Sequence, residues 1–132
     1  MYKTLAIVYV LVFLMTAVLT GCGGTKAAAT YTDSSKTINL SKNQEFIIAL
    51  QANPTTGYDW QPDFDAGILN QVKKDYQQAD NSGKPLVGSG GTDFFTYKAL
   101  KAGTTKITLT YKRSWETPKA DDKQQVFNVV IK

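Results

Sequence analysis

The stretch TTKITLTYKR, residues 104 to 113, shows the most regular alternation of apolar and polar side chains in the sequence. Ile107, Leu109 and Tyr111 occupy alternate positions, with lysine and threonine side chains between them. Successive side chains of a β-strand point to opposite faces of a sheet, so this period of two predicts a strand with one buried face. A short turn that contains glycine, residues 101 to 103, joins it to the preceding segment.

The same period of two recurs in other segments of the chain. In residues 45 to 52, Phe46, Ile48 and Leu50 fall on one face. The segment 68 to 78 is more polar and fits either a strand across an exposed face or a short helix, so both interpretations stay open. The clearer strand candidates are residues 36 to 40, 45 to 52, 93 to 100, 104 to 113 and 124 to 132.

This spacing of segments predicts the fold class. About six or seven short strands, with turn signals at intervals of about ten residues, indicate an all-β domain built as a β-sandwich. A closed β-barrel is the alternative. A domain of about a hundred residues can be stable through apolar burial alone, and the single cysteine of the sequence cannot form a disulfide within the chain.

Composition excludes several classes of active site. Without histidine, the chain cannot build Ser-His-Asp or Cys-His catalysis, and zinc loses one of its usual ligands. A formal net charge of +4 without long basic runs gives no indication of nucleic-acid binding. Carboxylates could pair for acid–base chemistry, although most such residues are simply solvated. The candidates are Asp59, Asp63, Asp65 and Glu116. We therefore expect no enzyme, no metal ion and no cofactor.

The N-terminal sequence, residues 1 to 24, has the layout of an export signal. Lys3 precedes an apolar run of about 15 residues, which is shorter than the roughly 20 that span a membrane. The run ends in LTGC, residues 19 to 22, which resembles the lipobox of bacterial lipoproteins. In that family the cysteine receives a diacylglyceryl group and becomes the first residue after cleavage. A membrane anchor that is never cleaved is the alternative.

The lipobox resemblance implies a signal peptide at residues 1 to 21 and a lipidated Cys22. The protein would be exported and held at the cell membrane or cell envelope by its lipid. Lipidation also accounts for the one cysteine, which would otherwise be an unpaired thiol in an exported protein. Residues 22 to 35 then contain the lipidated cysteine and a flexible tether, because this segment is small, polar and aperiodic. The folded domain is predicted to span residues 36 to 132.

The first of three unusual loops is NPTTGY, residues 53 to 58. Pro54 and Gly57 favour a tight turn. Thr55 and Thr56 nevertheless place two stiff, β-branched hydroxyl residues at its tip. A plain connector does not require such a tip, so this loop is a candidate for contact with a partner.

The second loop, residues 87 to 93, is rich in glycine, and the third loop, residues 113 to 118, follows the most regular strand. The second loop is not a phosphate-binding loop, because it lacks the Gly-Lys-Ser/Thr ending and leads into a β pattern. In the third loop, Arg113 and Trp115 are residue types that commonly anchor protein interfaces. Trp115 could also be a core residue, but it lies just past the alternating stretch.

In this order and spacing the three loops resemble the chagasin family, whose members inhibit papain-like cysteine peptidases. The family motifs are Asn-Pro-Thr-Thr-Gly-Tyr with a tryptophan shortly after, Gly-x-Gly-Gly before an aromatic strand, and Arg-Pro-Trp. Here they read Asn53-Pro54-Thr55-Thr56-Gly57-Tyr58 with Trp60, Gly88-Ser89-Gly90-Gly91 before Phe94-Phe95, and Arg113-Ser114-Trp115 with Glu116. The resemblance covers residues 36 to 132. Ser114 replaces the family proline, so the third loop is expected to be less rigid.

The resemblance implies an immunoglobulin-like β-sandwich of about seven short strands, with the three loops forming a wedge at one end. The first loop would meet the catalytic cysteine in the cleft of the peptidase, and the other two would contact the cleft walls. Binding would be reversible and tight, the protein a monomer, and no cofactor involved. The implied peptidase-binding residues are Asn53, Pro54, Thr55, Thr56, Gly57, Tyr58, Gly88, Gly90, Gly91, Arg113 and Trp115. The alternative is a lipid-anchored immunoglobulin-like adhesion or assembly module that uses the same loops for a partner other than a peptidase.

Overall fold

The computed structural model describes residues 27 to 79 and 88 to 132. Within these ranges the chain forms eight β-strands, and one turn of 3-10 helix, Pro54–Thr56, lies between the third and fourth. The strands are β1 (Ala29–Tyr31), β2 (Ile38–Leu40), β3 (Glu45–Ala52), β4 (Tyr58–Phe64), β5 (Leu69–Gln78), β6 (Gly91–Ala99), β7 (Gly103–Arg113) and β8 (Lys123–Ile131). The predicted signal peptide and Cys22 lie outside the described residues. In the described part of the chain, no helix is long and apolar enough to cross a membrane.

The strands form two four-stranded sheets with a shared core, in the orders β1-β3-β6-β5 and β2-β8-β7-β4. β1 runs parallel to β3 and β2 parallel to β8, whereas the other neighbouring strands are antiparallel. The predicted β-sandwich is therefore confirmed, and the alternative of a closed barrel is wrong. The first loop and residues 101 to 103 are two of the connections that carry the chain from one sheet to the other.

The core lies where the sequence alternation predicts it. In β7, Ile107 and Leu109 are fully buried, and burying each such side chain contributes roughly 1.5–3 kcal/mol. Trp60 of β4 is also buried, and its indole N–H donates a hydrogen bond to the backbone oxygen of Gln51 at 2.9 Å. This bond joins β4 to β3 and therefore links the two sheets inside the core. The other large buried side chains are Tyr97, Phe46, Phe95, Phe127, Ile38, Ile48, Leu69 and Val129.

The polar segment for which strand and helix both stayed open is a strand. β5 lies at the edge of its sheet and pairs with β6, with a shift of register between Gln71 and Lys73. Leu69 is buried, but nearly all of the later side chains are exposed. An edge strand with little buried surface needs few apolar residues, so its alternation is weak and the sequence alone does not identify it.

The structure differs from the prediction at the beginning of the domain. Ala29–Tyr31, which falls in the predicted tether, forms β1 and pairs with β3. The ring of Tyr31 packs edge-on against Phe46 with centroids 6.3 Å apart, and the Ser34 hydroxyl donates to the Gln125 side chain at 2.7 Å. The folded part therefore extends before residue 36. A three-residue edge strand is held mainly by backbone hydrogen bonds, which leave no periodic pattern in the side chains.

A small charged cluster links the two sheets close to the three loops. Lys74 of β5 forms an ion pair with Asp59 of β4, and its ammonium nitrogen lies 3.8 Å from the Asp93 carboxylate on β6. Asp93 is only 3% exposed. Burial raises the pKa of the Asp93 carboxyl, nearby Lys74 works against that rise, and Asp59 adds to it. The ionised form of Asp93 is therefore less favourable in the folded chain than in the unfolded chain.

We predict that Asp93→Asn makes the domain more stable at pH 7. Because the pKa of Asp93 is higher in the folded than in the unfolded chain, its contribution is most favourable below the unfolded pKa and is lost as the pH rises through the folded pKa. Asparagine does not ionise, so its advantage should shrink as the pH falls toward 3. Urea unfolding at a series of pH values measures this, with the exposed Asp63→Asn as a control that changes stability little. A variant that is less stable than wild type at pH 7 would contradict the prediction.

Candidate functional site

Strand pairing brings the three loops to one end of the sandwich. β3 ends at Ala52, which pairs with Gly91 at the beginning of β6. β4 begins at Tyr58, which pairs with Arg113 at the end of β7. The first loop joins β3 to β4, the second precedes β6 and the third follows β7. The three predicted loops are therefore neighbours in space, although they are distant in sequence.

The first loop is a closed turn built on Asn53. The Asn53 carbonyl accepts hydrogen bonds from the Thr56 backbone N–H at 3.3 Å and from the Thr56 hydroxyl at 2.7 Å. The Thr55 hydroxyl donates to the Asn53 side-chain oxygen at 2.6 Å. Gly57 ends the turn with a φ of 78°, and its N–H donates to the Pro54 carbonyl at 3.0 Å. Both threonine hydroxyl hydrogens are thus used inside the loop.

Asn53 also ties the first loop to its surroundings. Its backbone N–H donates to the Tyr111 hydroxyl at 2.9 Å, which fastens the loop to the last inward-facing side chain of β7. Its side-chain amide donates to the Gly88 carbonyl at 3.3 Å, which connects the first loop to the second. The Tyr111 ring packs at tilted angles against the rings of Tyr58 and Trp60, with ring centroids 5.5 and 4.9 Å away. These three aromatic side chains pack together next to the first loop and, through the Tyr111–Asn53 hydrogen bond, fix its position.

Trp115 of the third loop lies over Gly57 of the first. A Cβ atom on Gly57 would be 2.8 Å from Cη2 of the Trp115 indole. The Trp115 side chain is nevertheless 72% exposed, the most exposed of the large apolar residues in the described part of the chain. The prediction that Trp115 lies in the loop and not in the core is confirmed. Glycine is therefore required at position 57 for two reasons: its φ is positive, and a side chain would collide with the Trp115 indole.

The Arg113 side chain is positioned by contacts with residues of the first and third loops. Its guanidinium lies 4.8 Å from the centre of the Tyr58 ring, and its Nε donates to the Thr56 carbonyl at 3.4 Å. Its Nη1 is 3.2 Å from a carboxylate oxygen of Glu116. Arg113 therefore joins the third loop to the first, and the Tyr58 ring contacts both Arg113 and Tyr111.

The glycines of the second loop have packing roles that the sequence does not reveal. Gly91 lies within β6, not in a loop, and a Cβ atom there would be 2.2 Å from the Gln77 carbonyl of β5. A Cβ on Gly90 would be 3.1 Å from the Ala52 carbonyl. Gly88 has a φ of 87° but an open surrounding. Two of the three glycines thus allow close approach of neighbouring backbone.

The candidate carboxylates do not form an acid–base pair. Asp59 is bound to Lys74, and both Glu116 oxygens face basic side chains. Asp63 and Asp65 are exposed. Among the described residues, no group of acidic residues has the arrangement of a metal site. The sequence did not predict that the Tyr111 hydroxyl holds the first loop; its only signal was a hydroxyl at the last inward position of β7. Glu116 stands beside the third-loop motif in the sequence, but its contacts with Arg113 and Lys119 were not predicted.

Comparison with known proteins extends the resemblance of the loops to the whole sandwich. A family model described as chagasin family peptidase inhibitor I42 matches residues 39 to 131. Amoebiasin-1 from Entamoeba histolytica is 32% identical over 99 residues, which cover 75% of this chain and 93% of that protein. Chagasin from Trypanosoma cruzi is 32% identical over 100 residues, which cover 73% and 87%. The crystal structure of the cysteine protease inhibitor EhICP2 from Entamoeba histolytica has a TM-score of 0.68 at 27% identity and covers 80% of this chain and 96% of its own.

The two roles of Gly57 can be separated with Gly88 as a control. We predict that Gly57→Ala and Gly88→Ala each destabilise the fold by about 1 kcal/mol, because alanine is strained at positive φ. Only Gly57→Ala should also displace the Trp115 indole, since Gly88 has no atom near the added methyl. Urea unfolding measures the stability, and the indole N–H resonance of Trp115 reports its position. An unchanged Trp115 resonance in Gly57→Ala would contradict the packing of the two loops.

Proposed function

Because the chain belongs to the chagasin family of peptidase inhibitors, we propose that it is a reversible inhibitor of papain-like cysteine peptidases that fills their active-site cleft with its three loops. The family is one of inhibitors, so the chain is not an enzyme. The observation that carries the proposal is the exposed Trp115 indole lying against Gly57, beside a first loop closed by its own hydrogen bonds. An exposed aromatic on a fixed support can bury surface with little loss of conformational freedom.

The first loop is suited to fill the catalytic site of a peptidase without reacting with it. The hydroxyl hydrogens of Thr55 and Thr56 are donated to Asn53, so only oxygen lone pairs are left for a partner, and the Thr56 hydroxyl oxygen also accepts from the Tyr58 N–H at 3.5 Å. Papain-like enzymes act through a cysteine and a histidine, whose N–H or S–H groups can donate to such acceptors. The carbonyl groups of the loop are those of its backbone and of the Asn53 side chain, and the hydrogen bonds of the closed turn hold them in place. Inhibition in this proposal is therefore steric and reversible.

The sheet edges favour a monomer. β1 and β2 are three-residue edge strands, β4 carries Pro62, and β5 has a register shift followed by Lys73 and Lys74. Short strands, proline, bulges and lysine are features that disfavour pairing between the edges of two sheets. We therefore expect one domain to bind one peptidase.

The test of inhibition is competition for the cleft of papain. We predict that the wild-type domain binds free papain, and that papain carrying a bulky irreversible peptide-like inhibitor does not bind it, because the first loop and that inhibitor need the same space. Thr56→Asp should weaken binding by about 3 kcal/mol, since it places an unpaired charge in a buried contact. Biolayer interferometry measures both effects. Thr104→Asp, an exposed threonine at the far end of β7, is the matched control and should bind as wild type.

Equal binding to free and filled papain would exclude the cleft as the site. The loops would then recognise another surface, as the adhesion or assembly alternative requires. Loss of binding in both Thr56→Asp and Thr104→Asp would show that added charge, and not the position of Thr56, is responsible.

The anchoring proposal rests on the N-terminal sequence and on the direction of β1. We propose that Cys22 carries a lipid and holds the protein at the cell membrane or cell envelope, as in bacterial lipoproteins. β1 runs parallel to β3, with Ala29 opposite Phe46, and the first loop follows the other end of β3. The chain therefore enters the domain at the end opposite the three loops. An anchor at Cys22 would leave these loops directed away from the membrane.

For the anchor, we predict that Cys22→Ser releases the full chain from the membrane fraction or leaves its signal peptide uncleaved. The thiol takes the lipid and is far in sequence from the loops, so papain inhibition by the soluble domain should be unchanged. Fractionation of expressing cells with mass analysis of the N-terminus measures the outcome. A cleaved Cys22→Ser protein that stays fully membrane-bound would contradict lipidation.

A further inference from the structure

The third loop lacks the proline of the family's Arg-Pro-Trp motif, yet a different set of contacts closes it. We propose that Glu116 is a positioning residue that takes over the stiffening role of that proline and presents Trp115 to the peptidase. This inference rests on the proposed function for its effect on binding. Its structural part, the ordering of the Trp115 side chain, concerns the free protein alone.

Backbone contacts make the third loop a tight turn. The Glu116 N–H donates to the Arg113 carbonyl at 3.1 Å, so Ser114 and Trp115 are the two central residues of a four-residue turn. The Lys112 ammonium group donates to the Glu116 carbonyl at 3.1 Å and lies 3.5 Å from the Arg113 carbonyl. One lysine thus holds the carbonyls at both ends of the turn.

The Glu116 carboxylate closes the same turn through its side chain. One oxygen is 3.2 Å from Nη1 of Arg113, and the other is 3.4 Å from the Lys119 ammonium group. Hydrogen bonding from Arg113, followed by the Lys119 interactions, lowers the pKa of this carboxyl, so these contacts favour its ionised form. A single exposed ion pair adds little, but a carboxylate shared by two cations across a hydrogen-bonded turn restricts several side chains together.

Arg113 transmits this restriction to the rest of the loop end. Its guanidinium contacts the Glu116 carboxylate, the Thr56 carbonyl and the Tyr58 ring. Glu116 therefore orients a side chain that connects the third loop to the first, beside the place where Trp115 lies on Gly57. Glu116 is also less exposed than Trp115, with 27% of its side chain accessible against 72% for Trp115.

Proline at 114 should be compatible with this turn. Proline is favoured at the first central position of such turns, where it presets φ near −65°. Ser114 occupies that position and does not have a positive φ. Proline and Glu116 would thus restrict the same turn by different means, one covalent and one ionic. Either should suffice when the other is missing.

The experiment is a double-mutant cycle with four proteins: wild type, Glu116→Gln, Ser114→Pro and the two changes combined. Inhibition constants are measured against papain. Glu116→Gln should weaken inhibition about fivefold, by loss of preorganisation, and the added Ser114→Pro should restore it to within about twofold of wild type. Ser114→Pro alone should have a small effect. Glu45→Gln removes the same charge at the opposite end of the sandwich and should leave inhibition unchanged.

A second measurement uses the free protein. The ¹⁵N heteronuclear NOE of the Trp115 indole should fall in Glu116→Gln and recover when Ser114→Pro is added. The buried Trp60 indole is an internal control and should not change in any of the four proteins.

The outcomes separate this inference from the proposed function. Weaker inhibition by Glu116→Gln that proline does not rescue, or no loss at all, would overturn the role of Glu116 even though wild type inhibits papain. If wild type fails to inhibit papain, the proposed function fails, while an unchanged Trp115 NOE in Glu116→Gln would separately refute the positioning role.

Discussion

The hydrogen bonds of Asn53 close the first loop and join it to the second loop and to β7. All four polar groups of Asn53 form hydrogen bonds. The backbone N–H donates to Tyr111 and the side-chain NH₂ to the Gly88 carbonyl, while the backbone carbonyl accepts from Thr56 and the side-chain oxygen from Thr55. These bonds fix the point at which the chain leaves one sheet for the other. An exposed connection without them would hold many conformations, and a partner would have to order it on binding. The two sheets bring the strand ends together, and the hydrogen bonds of Asn53 hold the first loop in one conformation between them.

The sequence predicts the sandwich because burial determines alternation. Strands with one face in the core, such as β7 and β8, carry an apolar side chain at every second position and can be recognised from the sequence. β5 does not show this alternation because its later side chains are exposed to solvent. β1 does not show it because three residues are too few for a periodic pattern. The sequence therefore predicts the centre of each sheet better than its edges, where backbone pairing replaces side-chain burial as the stabilising interaction.

The site was predictable to a different extent. The residue types of the three loops identify the family, and strand pairing brings them together as expected. Their individual roles were not predictable, because they depend on contacts between residues far apart in the chain. Gly91 serves the packing of β6 against β5, and Tyr111 uses its hydroxyl to hold Asn53. Glu116, considered first as a candidate acid, has both of its oxygens beside cations.

In the proposed role of Glu116, the third loop takes its rigidity from ionic contacts where the family motif has a proline. Proline restricts the unfolded chain as well as the folded one, and salt does not affect that restriction. Contacts of Glu116 with Arg113 and Lys119 act only in the folded loop and are screened by ions, since all three side chains are partly exposed. The contacts of Glu116 also have an advantage over proline. They position Arg113 as well as the turn, and Arg113 donates a hydrogen bond to the Thr56 carbonyl of the first loop. Proline at 114 acts on its own backbone, whereas Glu116 can hold two loops against each other.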